Sequence, residues 1–345
     1  HVQVTRHAQR APDRAAAVDA AGALSYGEID RLSNRLANHL AAQGIEREDV
    51  VAIHAERSVA LPWALLGVLK AGAAFMLVDP AQPAARSAQC LRLARPRAWL
   101  RLDSDDEPLP PALEDVLDEL APRVRASWSG PGAADWRRCP DTPPAREVDA
   151  DDLAYIAFTS GTTGEPKAIA GSHAPLTHFF EWHGRRWGLG PDERFSALSG
   201  LAHDPLLRDV LGALWLGATV CLPDTERLGY AGYLAQWMRR LDISVSHLTP
   251  AMAELLAGAE PGEAVAPLPA LRHVFCGGDV LRAATVETLR VLAPAATLVN
   301  FYGATETPQA MGWYEVPREA APALPAPLGR GIDDVQLLVL NAAGQ

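Results

Sequence analysis

The residues from Thr159 to Lys167 combine the side chains that best suit a phosphate-binding loop. The segment "TSGTTGEPK" carries hydroxyl residues, glycines and one lysine: Thr159, Ser160, Gly161, Thr162, Thr163, Gly164 and Lys167. Glycines let backbone N–H groups turn inward into a concave nest, which binds anionic oxygens without net positive charge. Because the strand-like run "YIAF" leads directly into it, an ordinary surface loop is the less favoured alternative. The pattern predicts a polyanion site.

Two well-known nucleotide motifs do not match this loop. A Walker A loop needs a hydroxyl residue directly after its lysine to hold magnesium. Here Lys167 is followed by Ala168, and Gly164 is followed by Glu-Pro. No G-x-G-x-x-G follows an early strand either, so dinucleotide binding has no support.

The composition limits the partners of the chain. It has 345 residues, a formal net charge of −11 and 48% hydrophobic residues. This charge argues against nucleic acid and against an anionic membrane as main partners. The cysteines are widely spaced and form no CxxC pair, no apolar run approaches a membrane span, and no signal peptide is apparent. We therefore expect a cytoplasmic protein, and the first residue, His1, suggests a piece of a longer chain.

The elements that must position the loop alternate between helix and strand. "RLSNRLANHLAAQG" and "ALPWALLGVLKAG" show helical spacing, while "VVAIHA" and "AFMLVDP" are strand-like. After residue 150 the alternation resumes, and its strands end in "HLTP", "CGGD" and "NFYGATE". Short connections between alternating elements predict parallel α/β structure, with ligands at the carboxyl ends of the strands. Residues 101–150 are rich in Pro, Asp and Glu and predict an exposed crossover with one helix, "ALEDVLDEL", or else a domain linker.

Several motifs resemble those of the adenylate-forming enzymes, a superfamily of acyl-CoA synthetases, luciferases and peptide-synthetase adenylation domains. "LAYIAFTSGTTGEPKAIAGSH" resembles their phosphate-loop signature and "NFYGATE" their NxYGPTE signature. "LSYGEIDRLSNRLANHL", "LKAGAAFMLVDP" and "PLGRGIDDVQLLVLNAAGQ" resemble other core motifs in the same order. The resemblance covers essentially the whole chain, and "LKAGAAFMLVDP" favours nonribosomal peptide synthetases.

The resemblance implies a fold and a set of boundaries. We expect two stacked, mostly parallel α/β sheet subdomains plus part of a small β-barrel. The parts would be 1–150, including the crossover 101–150; 151–312, with the ATP and substrate loops; and 313–345, the start of the barrel part, with a hairpin-forming strand. The family's ribose-binding Asp, hinge and catalytic Lys lie in later motifs, and this sequence stops at Gln345. The chain would then be the large N-terminal subdomain, without the small C-terminal one, and would have little activity alone.

The same resemblance assigns the nucleotide-binding residues. Residues Thr159 to Gly164 would hold the β- and γ-phosphates of ATP, and Lys167 would add charge there. Tyr302 would stack on adenine, with Asn300, Gly277 and Gly278 around the base. Thr305 would approach the α-phosphate, and Glu306 would bind Mg²⁺, which often combines one carboxylate with substrate phosphates.

The substrate pocket is also assigned by resemblance. In amino-acid-activating members an Asp pairs with the substrate ammonium, and Asp204 aligns with it, although Asp204-Pro205 is also typical of a plain helix start. The whole predicted pocket comprises His203, Asp204, Pro205, Arg208, His247, Val274, Cys276, Phe301, Gln309 and Ala310. Arg208 would either pair with Asp204 or bind an acidic or hydroxylated substrate side chain, since an unpaired buried charge is costly. A bulky Phe301 would shorten the pocket and favours a small or polar amino acid.

The function implied is ATP-dependent activation of an amino acid, which gives an aminoacyl adenylate and pyrophosphate. The acyl group would then load the phosphopantetheine thiol of a carrier protein, among neighbouring synthetase domains. One alternative is a CoA ligase, which CoA as acceptor would reveal. The other is a non-catalytic docking domain, for which calorimetry would detect no binding of ATP and Mg²⁺.

Overall fold

The computed structural model describes residues 1–102, 108–127, 138–160, 165–258, 266–318 and 325–340, with only the backbone of Ser160 and Pro308. Within these ranges, two sheets dominate the molecule. Among the described residues, no helix is both long and apolar enough to cross a bilayer.

The smaller sheet has six strands in the order β6-β5-β3-β4-β7-β8. Their bounds are β3 (Val50–His54), β4 (Ala74–Val78), β5 (Ala98–Arg101), β6 (Val124–Ser127), β7 (Leu153–Ser160) and β8 (Pro166–Ser172). All neighbours pair in parallel except β7 and β8, which form an antiparallel hairpin. The predicted phosphate loop is the connection of this hairpin.

The larger sheet has nine strands in the order β15-β14-β13-β12-β11-β9-β10-β1-β2. Their bounds are β1 (Ala15–Val18), β2 (Ala23–Ser25), β9 (Arg194–Ser196), β10 (Thr219–Cys221), β11 (Val245–Leu248), β12 (His273–Cys276), β13 (Thr297–Ala304), β14 (Thr307–Glu315) and β15 (Arg330–Gly331). The central strands from β1 to β13 are parallel, and the pairs at both edges are antiparallel. The carboxyl ends of β11, β12 and β13 therefore lie side by side.

Helices connect the strands. The described ones are α1 (Val2–Arg10), α2 (Tyr26–Ala42), α3 (Ala60–Lys70), α4 (Ala84–Ala94), α5 (Pro111–Leu120), α6 (His173–Trp187), α7 (Pro205–Leu207), α8 (Ala213–Trp215), α9 (Tyr233–Arg240), α10 (Pro250–Ala257) and α11 (Ala283–Leu292). Local chemistry explains several of their ends. Ser25 and Glu28 form a capping box at the start of α2, and Thr249 caps α10. A left-handed Gly188 ends α6.

The predicted two-sheet α/β fold class is confirmed, but two details differ from the expected boundaries. Residue 150 does not separate the sheets, because β7 and β8 belong to the smaller sheet while β1 and β2 join the larger one. From residue 313 onward, the described strands extend the edge of the larger sheet, where a separate barrel part was expected. The tail forms strand only at Arg330–Gly331, and residues 332–340 carry none.

The crossover 101–150 contains the predicted helix, here α5, and also the strand β6 at the edge of the smaller sheet. Both pack into the protein: Leu113, Val116 and Leu117 of α5 are buried against Trp99 and Leu91. These two described elements are therefore integrated into the first sheet and its core, rather than forming a plain linker.

Candidate functional site

A cavity of about 590 Å³ opens at the carboxyl ends of β11, β12 and β13. The start of α7 contributes His203, Asp204 and Pro205, and the chain after β12 contributes Gly277 and Gly278. Its other lining includes predicted site residues from neighbouring elements: Arg208, His247, Phe301, Thr305 and Gln309. Parallel strands bring these sequence-distant residues together because all their carboxyl ends meet at one edge.

Asp204 lies at the entrance to α7 with only 7% of its surface exposed. Its Oδ1 accepts a hydrogen bond of 2.8 Å from Thr305 Oγ1, and Gln309 Nε2 donates to its backbone oxygen at 3.1 Å. The side chain makes no capping hydrogen bond to α7. A helix-capping role therefore does not account for this carboxylate. Thr305, in the turn before β14, holds the carboxylate at the cavity, and Gln309 of β14 holds the backbone of the same residue.

Arg208 follows α7 by one residue and begins a π-helical turn, Arg208–Gly212. Such insertions are frequent at functional sites because they rotate the following side chains relative to an α-helix. The guanidinium lies 5.7 Å from the centre of the Phe301 ring, and its Nη1 donates to the Gln309 backbone oxygen at 3.4 Å. The π-turn separates α7 from α8, so the helical stretch from Pro205 to Trp215 is not one regular α-helix.

A buried His–Asp pair lies at the wall of the cavity, where His247 is a lining residue. His247 Nδ1 lies 2.8 Å from Asp209 Oδ1, and the backbone N–H of Ser199 donates to Asp209 Oδ2 at 2.9 Å. Burial lowers the pKa of His247, although the hydrogen bond to Asp209 opposes that shift. Sequence reasoning selected His247 but missed Asp209. The available signal was a carboxylate inside the otherwise apolar run "DVLGALWLGA".

Gln309 holds a backbone conformation that is unusual for its residue type. Its φ is +71°, in the left-handed region that favours glycine. Its Oε1 is buried and has no hydrogen-bond partner among the described residues. Strained backbone and unsatisfied polar atoms concentrate at functional sites, where the surrounding structure maintains them.

A second cavity, of about 300 Å³, adjoins the predicted phosphate loop. It is lined by Thr159 at the end of β7, and by His203 and Thr305, which also line the larger cavity. Across the hairpin, Lys167 pairs in register with Thr159, and its Nζ lies 3.9 Å from Glu306 Oε1. The fold thus gathers the ends of the phosphate loop and the "GATE" segment in one place.

Four of the predicted phosphate ligands lie outside the described residues: Gly161, Thr162, Thr163 and Gly164. The side chain of Ser160 is likewise outside them. These assignments stay predictions.

The predicted residues around the base occupy different environments. Tyr302 is 45% exposed, as a stacking platform requires, and Gly277 and Gly278 line the large cavity. Asn300 is buried, and its Nδ2 donates to the backbone oxygen of Pro327 at 2.9 Å. The Asn300 amide therefore holds the chain before β15. Asn300 is not one of the described residues that line the cavity.

Three predicted pocket residues are not brought to the cavity. Val274 and Cys276 point to the opposite face of the larger sheet, where they join a core cluster with α9, α10 and α11. Ala310 is fully buried in the other core cluster. The residue between Val274 and Cys276 faces the correct side: the Phe275 ring stacks on Phe301 at 4.9 Å and on His247 at 5.2 Å. The prediction was therefore wrong by one position along β12: Phe275, and not Val274 or Cys276, is on the cavity side of the sheet.

The described residues contain no group of three or more His, Cys, Asp or Glu side chains arranged to hold a metal ion. Glu306 is the remaining candidate, with 47% of its side chain exposed. A single exposed carboxylate suits a cation that takes its other ligands from water and phosphate oxygens, as Mg²⁺ does.

Comparison with known proteins agrees with this geometry. The model of the AMP-binding enzyme family matches residues 4–345. The L-2-aminoadipate reductase of Schizosaccharomyces pombe is 38% identical over 92% of this chain, and one of the linear gramicidin synthase proteins of Brevibacillus parabrevis is 34% identical over 99% of it. The chain spans only 24% and 6% of these two relatives, respectively.

Solved structures show the same fold. The AMPPNP-bound form of the nonribosomal peptide synthetase FmoA3 has a TM-score of 0.84 and 27% identity, and the match covers 96% of this chain and 34% of that one. Holo-PA1221, which contains adenylation and PCP domains, has a TM-score of 0.76 and 26% identity, over 100% of this chain and 56% of that one. The chain therefore belongs to the AMP-binding family of adenylate-forming enzymes.

Proposed function

We propose that this chain binds ATP and an amino acid and joins them as an aminoacyl adenylate, with release of pyrophosphate. The observation that supports this most directly is the hydrogen bond between Asp204 and Thr305. It places the carboxylate proposed for the substrate ammonium beside the residue proposed for the α-phosphate. One reaction centre can then hold both reactants in contact, which is the main requirement for this reaction.

In the reaction, a carboxylate oxygen of the amino acid attacks the α-phosphorus, and the bond to the β-phosphate oxygen breaks. Asp204 would hold the ammonium, Tyr302 would stack on adenine, and Thr305 would lie beside the α-phosphate. Lys167 would neutralise phosphate charge from the hairpin. Mg²⁺ held by Glu306 would neutralise the developing charge of the leaving pyrophosphate.

The adenylate would then pass to an acceptor. We propose the phosphopantetheine thiol of a carrier protein, since PA1221 combines adenylation and PCP domains in one protein. A second candidate fate is reduction, because relatives with 35–38% identity are named L-2-aminoadipate reductases. Product analysis separates the two: a stable thioester on the carrier domain supports the first, and release of an aldehyde with a nicotinamide cofactor supports the second.

The test is amino-acid-dependent exchange of radiolabelled pyrophosphate into ATP, measured on the full-length protein that contains this chain. The Asp204→Asn variant keeps the side-chain shape but loses the charge that pairs with an ammonium. We expect its exchange to fall by about 100-fold or more, while ATP binding by calorimetry stays unchanged. Asp192→Asn, at an exposed position, is the matched control. Wild-type exchange from Asp204→Asn would refute the assigned role, and absence of exchange with every amino acid would refute the function.

A further inference from the structure

Arg208 carries a buried positive charge in the substrate cavity. The residue is only 6% exposed, yet it lines the cavity beside Phe301 and Gln309. Its Nη2 lies 3.9 Å from the point that a Cβ on Gly277 would occupy. Since Gly277 has no side chain, space remains open next to this end of the guanidinium.

The protein does not neutralise this charge with an ion pair. Among the described residues, no carboxylate lies within 4.0 Å of the Arg208 nitrogens. The nearby carboxylates have other partners: Asp209 binds His247 and the Ser199 N–H, and Asp204 Oδ1 accepts from Thr305. The sequence left open whether Arg208 pairs with Asp204, and in the structure it does not.

The hydrogen bonds of Arg208 are also incomplete. Its Nη1 makes a long hydrogen bond of 3.4 Å to the Gln309 backbone oxygen, and its buried Nε has no partner among the described residues. Burial lowers the pKa of Arg208, while Asp209 and Asp204 oppose that shift. A guanidinium remains charged in proteins and presents a planar fork of donors that matches a carboxylate. Keeping such a group buried and unpaired is costly unless a ligand completes it.

We propose that Arg208 binds a second carboxylate of the substrate, so that the amino acid activated by this protein is a dicarboxylic one. This inference rests on the amino-acid activation proposed above and adds the chemistry of the substrate. Asp204 would take the ammonium, Arg208 would take the carboxylate that does not react, and the other carboxylate would meet ATP. Arg208 is thus a specificity residue of the cavity.

Geometry supports this division of roles. Positions 204 and 208 are separated by about one turn of helix, so both side chains face the same cavity. The Phe301 ring and the Gly277 backbone border the guanidinium. A neutral aliphatic or aromatic side chain would cover the charge without pairing with it, whereas a carboxylate would satisfy the free Nη2.

The experiment compares matched amino acids in pyrophosphate exchange with the full-length protein. L-glutamate is paired with L-glutamine, and L-2-aminoadipate with L-norleucine, so that each pair differs chiefly in one carboxylate. We expect the preferred dicarboxylic acid to be activated at least 100-fold more efficiently than its neutral partner.

The Arg208→Met variant keeps an apolar side chain of similar length and removes the charge. We expect it to lose most of the wild-type preference, because exchange with the dicarboxylic acids should fall far more than exchange with their neutral partners. Arg208→Lys should keep part of the preference, because it retains the charge but not the fork. Arg290→Met is the matched control, since Arg290 also donates to backbone oxygens, at Ala296 and Val316, away from the cavity. Its preference should stay at the wild-type value.

A purely structural Arg208 would lower activity with all four amino acids equally, and that outcome would overturn the proposal. So would a wild-type preference for a neutral amino acid, although amino-acid activation itself would then stand. If no amino acid supports exchange while calorimetry shows ATP binding, the proposed function fails and this inference with it.

Discussion

Tyr302 stands near the end of β13 with its ring partly open to solvent, while the preceding Phe301 is buried against Phe275 and Phe179. Alternation along a strand explains the difference, because successive side chains point to opposite faces. The exposed ring of Tyr302 offers a base a stacking surface.

We predict that Tyr302→Ala weakens ATP binding by about 10-fold or more, since stacking of a base on an aromatic ring contributes about 1–3 kcal/mol. Tyr302→Phe keeps the ring and should bind ATP like the wild type. Calorimetric titration with ATP and Mg²⁺ measures both variants. Tyr230→Ala, which changes another exposed tyrosine, is the control. Unchanged affinity in Tyr302→Ala would remove Tyr302 from the adenine site.

At this scale, motifs predicted some site residues better than others. Asp204 and Thr305 were assigned from their motifs, and the structure brings them into contact. Val274 and Cys276 were misplaced because a shift of one residue along a strand moves a side chain to the other face. The run "VFC" has apolar side chains on both faces, so its pattern does not reveal which face lines the cavity. The absence of an ion pair at Arg208 could not be predicted from the sequence. It depends on the π-turn at Arg208–Gly212 and on the hydrogen bonds that Asp204 and Asp209 form with other residues.

The hairpin of β7 and β8 flanks the predicted phosphate loop. Tyr155 on β7 is buried, its ring stacks on Phe75 at 6.3 Å, and it lies opposite Gly171 of β8 in the register of the pair. A Cβ at Gly171 would overlap the Tyr155 ring. The absence of a side chain at Gly171 therefore allows the two strands to pair and fixes where the loop emerges.

We predict that Gly171→Ala lowers the free energy of unfolding by about 1–3 kcal/mol, as overpacking of a core does. It should also weaken ATP binding, because the hairpin must shift to accommodate the methyl group. Urea denaturation and ATP calorimetry test the two effects. Gly190→Ala is the matched control, since a Cβ there meets no atom within 4 Å. If Gly171→Ala behaves like Gly190→Ala, the close packing against Tyr155 does not constrain the hairpin.

The order of elements was largely predictable, because each helix and strand of the central α/β alternation has its own periodicity. Which strands pair within each sheet was not predictable. Strands β1 and β2 lie near the start of the sequence, yet they join the larger sheet beside β10. Local periodicity carries no information about such long-range pairing, so the sequence alone does not reveal that the two sheets share the first 150 residues.

One core cluster contains residues of both sheets and extends to the candidate substrate cavity. It includes residues from α2, α3 and β3, together with Phe275 and Phe301 beside the cavity. His183 of α6 is buried in this region, 4.5 Å from the Phe275 ring and 5.3 Å from the His247 ring. Its Nε2 has no hydrogen-bond partner among the described residues. His183 is therefore part of the aromatic packing next to the cavity.

We predict that acid destabilises the protein through these histidines. Burial lowers the pKa of His183 well below its usual 6.5, and the charges of His247 and Arg208 lower it further. Burial also lowers the pKa of His247. Both pKa values are therefore lower in the folded state than in the unfolded chain, which takes up protons as the pH falls through about 6.5. The unfolded state then binds more protons, so the free energy of unfolding is retained above about pH 6.5 and decreases below it.

Urea denaturation between about pH 7.5 and pH 5, a range that spans the unfolded pKa of histidine, measures this dependence on the wild type, His183→Leu and His178→Leu. Each such histidine contributes at most about 1.4 kcal/mol per pH unit below its unfolded pKa. His183→Leu should therefore have a shallower slope than the wild type, whatever its absolute stability, because leucine has no proton to take up. His178→Leu changes a partly exposed ring outside the core and should keep the wild-type slope. Equal slopes in all three proteins would mean that His183 does not couple the stability of the core to pH.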